Sequence, residues 1–257
     1  MVLLLGLALG CTTLPGTPSG FNADGTPLKR QPQPATCVAY GELHEKAALD
    51  PGRSPGEQEE LRNKARLGYQ QALQINSKDL PALLALARLY TSEGDFDRAL
   101  ATYDRAIGAH PNNALPRYEL GMCHGRRKNW NLALQSLQKA VELDPENRGY
   151  RHTYGLCLAR AQRWDESLAV LTKLEGPANA HYELARMLHH LDQDQASKEH
   201  LRLALVQNPE HFGAQQLLEA LETGTPDLAY PITPAGAENP GNPSHPLLGR
   251  PVRAVQP

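Results

Sequence analysis

The chain lacks most of the marks of an enzyme. Its 257 residues include only 4 cysteines, 3 methionines, 3 phenylalanines and 2 tryptophans. There is no Cys-x-x-Cys or His-Glu-x-x-His spacing, so the common zinc patterns are missing. There is no glycine-rich phosphate loop and no Gly-x-Ser-x-Gly nucleophile turn. Net charge is −2, with 26 Lys and Arg against 28 Asp and Glu, so nothing demands nucleic acid. The apolar run from Val2 to Leu9 is too short to span a bilayer. No cofactor, metal or small-molecule substrate is expected, and no residue stands out as catalytic.

Cysteine and histidine add little. Cys123 and Cys157 stand 34 residues apart and occupy the same place in a repeat. Equivalent positions on stacked helices lie about 9–10 Å apart. A disulfide tolerates a Cα separation of about 7 Å at most, so these two read as small buried residues. Among the 10 histidines, His189 and His190 are adjacent. Neighbouring residues on a helix point to different faces, so they form no chelating pair by themselves.

What is present is a period. Phe96, Trp130 and Trp164 are spaced 34 apart, with Gly94, Lys128 and Gln162 two residues before them. Ala99, Ala133 and Ser167 follow three residues after each aromatic, and Tyr103, Leu137 and Leu171 four later again. A fixed period of this length means stacked supersecondary units. Within Leu80 to Asn113, apolar Leu83, Leu86, Ala87 and Tyr90 recur at helical spacing. Gly94 is free to take a positive φ and breaks the run. A second stripe follows from Phe96 to Ile107, and Pro111 ends it because proline cannot continue a helix. Each unit is therefore two antiparallel helices joined by a tight turn.

These residues resemble the tetratricopeptide repeat, over roughly Cys37 to Gly224. The resemblance implies an all-α fold, a right-handed α-solenoid of stacked helix-turn-helix units with flexible tails. The units fall at 80–113, 114–147, a short one at 148–177 and a weaker one at 178–211. The short unit's second helix is expected to end near Leu174, at Gly176-Pro177. Ahead of them, Val38 to Ala48 and a helix through Ala65, Tyr69 and Ala72 make an earlier unit, with Asp50 to Gly56 as an enlarged loop. Phe212 to Leu221 is a final capping helix. The domain covers 37–224. Residues 225–257 are rich in proline and too poor in apolar surface to fold alone, so they are read as a disordered tail.

The N-terminus carries a second resemblance. Ala8-Leu9-Gly10-Cys11 is similar to a bacterial lipobox, with 1–10 as a signal peptide. The resemblance implies diacylglyceryl transfer to the Cys11 thiol, cleavage before it, and acylation of the new amine. Residues 11–36 are rich in Pro, Gly and Thr and suit a flexible linker with a reach of about 28 Å. The implied place is the cell envelope, lipid-anchored, with the outer membrane favoured. The alternative is a cytosolic scaffold with no lipid.

The repeat family lines a concave groove with unit positions 2, 5, 9, 12 and 13 of each first helix. Here those positions include Leu84, Arg88, Tyr118, Met122, Arg126, His152, Leu156, Arg160, Tyr182, Arg186, His189 and His190. None is Asp or Glu. Four arginines with two tyrosines suit a protein or peptide partner carrying carboxylates. Positions 5 and 9 do not hold the Asn and Lys of the family's carboxylate clamp, so a chaperone tail is not an expected ligand. The reading is an interaction scaffold rather than an enzyme.

Overall fold

The computed structural model describes residues 32–224. The chain divides between Gln33 and Pro34, and every described helix lies in the second unit. Those described residues form α1 (Pro34–Ala48), α2 (Pro55–Ile75), α3 (Leu80–Glu93), α4 (Phe96–Ala109), α5 (Ala114–Arg126) and α6 (Trp130–Leu143). The chain continues through α7 (Arg148–Arg160), α8 (Trp164–Glu175), α9 (Pro177–His190), α10 (Asp194–Gln207) and α11 (Phe212–Thr223). No strand occurs among the described residues, and none of their helices is long and apolar enough to cross a membrane. The 1–10 segment, Cys11, most of the 11–36 linker and the 225–257 tail lie outside the described residues.

Local chemistry sets the helix ends. Ser54 and Glu57 form a reciprocal capping box at the start of α2, with Pro55 in the first turn where its missing N–H costs nothing. Asp79 caps α3 by accepting from the Ala82 N–H at 3.1 Å, and Asp95 caps α4 by accepting from Arg98. Two expected boundaries shift for the same reason. The first helix begins at Pro34 rather than Val38, because proline fits a helix's first position. The expected loop through Gly56 ends at Ser54, where the capping box starts α2.

The intra-unit turns repeat one geometry. Gly94 has φ 77°, and Lys128, Gln162 and Asp192 hold 59°, 62° and 59°. In each turn the next N–H reaches back five residues: Asp95 to Tyr90, Asn129 to His124, Arg163 to Leu158 and Gln193 to Leu188, all at 2.9–3.0 Å. The geometry thus extends to the unit at 178–211, which lacks the turn aromatic.

Packing within each pair depends on a small residue in the first helix. A Cβ on Gly121 would lie 2.7 Å from Leu137 Cγ, and one on Gly155 2.8 Å from Leu171 Cδ2. Gly41 lies against Tyr69 in the same way. Leu137 and Leu171 are fully buried, each stabilising the fold by about 1.5–3 kcal/mol. Ser167, also fully buried, stands where earlier units have alanine, and its hydroxyl donates to the Gly155 carbonyl at 2.8 Å. Ser197 repeats this toward Ala185, also at 2.8 Å. Apolar contacts form several successive clusters, so neighbouring units hold one another in a one-dimensional stack.

Candidate functional site

The stack exposes one continuous wall of first helices. Besides chain neighbours, the close helix contacts join α1 to α3, α3 to α5 and α7 to α9, all of them first helices. Tyr118 links α5 to α7: its ring lies 4.7 Å from that of Tyr150, and its hydroxyl meets Thr153 Oγ1 at 3.4 Å. Because first helices approach more closely than second helices, the wall bends toward them.

The expected groove residues divide into three groups. Leu84 and Met122 are only 2% and 8% exposed, so they support the wall from behind and offer a partner nothing. Tyr118, His152, Leu156, Arg160, Tyr182, Arg186, His189 and His190 are half-buried along it. Arg88 and Arg126 are exposed.

Charge on the wall is more balanced than the positions alone implied. Arg88 Nε donates to Glu119 Oε2 at 3.0 Å, and Arg186 donates to both Glu183 oxygens at 2.9 and 3.1 Å. Glu119 and Glu183 each stand at position 6 of a unit, one residue past the positions taken to line the groove. Asking about position 6 alongside position 5 would have found both. His152 Nε2 lies 3.4 Å from Glu175 Oε1, and His189 pairs with Asp194. Burial pushes the His152 imidazole below its ordinary range and the Glu175 carboxyl above its own, so burial weakens the charge on both members.

Arg126 and Arg160 also stand on the wall. Arg126 is at the exposed end of α5, next to Arg127 and Lys128. Burial lowers the Arg160 guanidinium's hold on its proton, without approaching neutrality at physiological pH. The wall's apolar surface comes from Tyr118, packed on the cluster that includes Leu134 and Leu158, and from Leu156, packed on the cluster of Ala159, Leu184 and Leu188. At the last unit Arg186 lies 5.6 Å over the Tyr182 ring, a cation–π contact.

A separate cleft of about 430 Å³ is lined by residues of α1, α2 and α3. Its carboxylates are engaged within the fold. Glu45 accepts from the Tyr69 hydroxyl at 2.6 Å, Glu59 from Arg62 at 2.9 Å and Glu93 from Arg66 at 2.7 Å. Among the described residues no group of three His, Cys, Asp or Glu is arranged to hold a metal ion.

A family model described as the tetratricopeptide repeat matches residues 84–148 and 125–179. Among solved structures, the chain is similar to the MamA protein, with 14% identity, 69% of this chain and 92% of that one covered, and a TM-score of 0.50. It is similar to YrrB, described as a TPR protein with an unusual peptide-binding site, at 23% identity, 72% and 91% coverage and a TM-score of 0.48. It is similar to TTC0263, a thermophilic TPR protein in Thermus thermophilus, at 18% identity, 71% and 99% coverage and a TM-score of 0.45. Comparison with curated proteins gives no match. At 14% identity the likeness to MamA bears on the fold alone.

Proposed function

We propose that this chain, which carries tetratricopeptide repeats, is a protein-binding scaffold tethered by lipid on Cys11 to a bacterial envelope membrane. The observation that carries the binding role is the wall of first helices, which presents both apolar surface, from Tyr118 and Leu156, and cationic surface, from Arg126 and Arg160. Such a wall offers shape and charge over several successive helices, which suits recognition of a protein or peptide. The sequence Ala8-Leu9-Gly10-Cys11, followed by a Pro-, Gly- and Thr-rich stretch, supports the anchor. The linker would hold the repeats a short distance from the bilayer, with the wall available to an acidic protein or peptide.

Two experiments test the two parts separately. Metabolic labelling with a palmitate analogue should mark the wild type and not Cys11→Ser, with the variant leaving the membrane fraction. A soluble, unlabelled wild type would remove the anchor and place the scaffold in the cytosol. Pull-down with Arg126→Glu as bait should lose partners that the wild type captures. Arg126 is chosen because it is exposed. Reversing half-buried Arg160 would also bury a carboxylate. Unchanged capture with a folded variant would remove the wall from the account.

A further inference from the structure

The two ends of the repeat stack are built differently. Gly41, Gly121 and Gly155 occupy the same place, each against the second helix of its unit. Ala87 and Ala185, both fully buried, fill that place in the other two units. The residue two positions later faces the preceding unit. It is 1% exposed at Leu89, Cys123 and Cys157, and 4% at Met187. In the first unit that residue is Leu43, which is 65% exposed. Tyr40, one residue before Gly41, is 46% exposed, whereas Leu86 and Leu184 in its place are 3% and 1%. Among the described residues the first unit therefore keeps an apolar stacking face with no unit stacked on it. At the other end, α11 turns Gln215, Gln216, Glu219 and Glu222 to solvent, the polar outer face expected of a solenoid cap.

We propose that the α1 end is a docking face for a second copy of this chain, joined end to end about a two-fold axis. Charge selects this occupant. Glu42 and Lys46 flank Leu43, are exposed, and form no ion pair among the described residues. An antiparallel crossing of two α1 helices centred on Leu43 sets Glu42 of each copy beside Lys46 of the other. The face is thus self-complementary, as an isologous contact requires. On α11 Phe212 is the one large apolar side chain bared, at 61%, amid exposed Gln215, Gln216, Glu219 and Glu222, so this end is a poorer mate for Tyr40 and Leu43 than a second α1 face, and the assembly closes at two. Tyr40 and Leu43 supply the apolar centre, and the charges fix the direction. This contact is separate from the partner-binding wall and stands whether or not that wall binds anything.

Sedimentation velocity of the full chain through the micromolar range tests the proposal. The wild type should sediment as a dimer that dissociates on dilution. Leu43→Arg should raise the dissociation constant about tenfold or more, with helicity unchanged because Leu43 is 65% exposed in the monomer. Glu42→Lys should weaken the dimer, and Glu42→Lys with Lys46→Glu should restore it. A chain that stays monomeric throughout the range overturns the proposal. So does a dimer that Leu43→Arg leaves intact, which would place the contact elsewhere.

Discussion

Arg88 of α3 and Glu119 of α5 are bonded across two successive units, Nε to Oε2 at 3.0 Å. Burial pushes the Glu119 carboxyl up, and Arg88 pulls it part of the way back. The Arg88 side chain is 47% exposed, so the pair contributes less than about 1 kcal/mol. Glu119→Gln should therefore lower the melting temperature by no more than about 4 °C. It also frees one positive charge on the wall, so capture of an acidic peptide should strengthen and become more sensitive to salt. Calorimetry and peptide titration at two salt concentrations check this. Collapse of the fold would show that the pair locks the units together.

Acid should loosen the stack through its histidines. His124, His152, His181 and His200 are all shifted down, in each case chiefly by burial, and His200 also by neighbouring His181. The unfolded chain takes up these protons near the ordinary histidine value of about 6.5, while the folded chain resists until lower pH. The histidine contribution to stability is complete above that value and is lost as pH falls through it toward the folded values. Each withheld proton adds a slope of up to about 1.4 kcal/mol per pH unit. Glu119 and Glu175, shifted up by burial, act in the opposite sense. Their stabilisation is complete below the ordinary carboxylate value and is lost as pH rises through their folded values, so it flattens the curve at its acid end. Melting curves from about pH 8 to 5 should show the fall, made shallower by His200→Gln. A flat profile would refute it.

The intra-unit turns offer a stabilising substitution. Gln162 holds φ at 62°, where a side chain costs roughly 1–2 kcal/mol and glycine costs far less. Gln162→Gly should gain about 1 kcal/mol, or about 2–4 °C in a melt, and Gly94→Gln should lose a similar amount. Both keep the backbone bond that closes the turn. A destabilised Gln162→Gly would mean that the glutamine side chain contributes more than its strain costs.

Cys157 should be chemically silent in the folded chain. Burial leaves it 1% exposed and its thiol pushed up to about 12, so almost no thiolate forms at neutral pH. Cys123 is equally buried and its thiol is also raised. A maleimide should label neither until denaturant is added. Rapid labelling of Cys157 in native buffer would reveal opening between α7 and its neighbours.

The period made the middle of the fold legible. The spacing of Phe96, Trp130 and Trp164 places the turns, and the structure puts Gly94, Lys128 and Gln162 at left-handed φ two residues before them. The unit at 178–211 was fainter because Asp194 stands where the aromatic belongs, yet Ser197 keeps the helix contact through its hydroxyl. The wall was less legible. Position counting identifies a helix face but not depth, so Leu84 and Met122 looked available when the neighbouring helices cover them. Counting also missed Glu119 and Glu183, which stand one position outside the counted face: Glu119 meets Arg88 of the preceding unit, and Glu183 meets Arg186 one turn along α9. The exposure of Leu43 was hidden for a related reason. A sequence shows that a residue suits an interface, not whether the other half is present.

Between α8 and α9 the chain spends a single residue, Gly176, which ends one helix and begins the next. The preceding units use a four-residue connection such as Asp144 to Asn147 at this point. The repeat therefore advances 34 residues from Lys128 to Gln162 but only 30 from Gln162 to Asp192. Gly176 holds φ 86° and ψ 163°, a region open to glycine almost alone, so a single residue sets the direction of α9 relative to α8. Any side chain placed there would have to leave that region, so replacing Gly176 would swing α9, α10 and α11 against the rest of the stack.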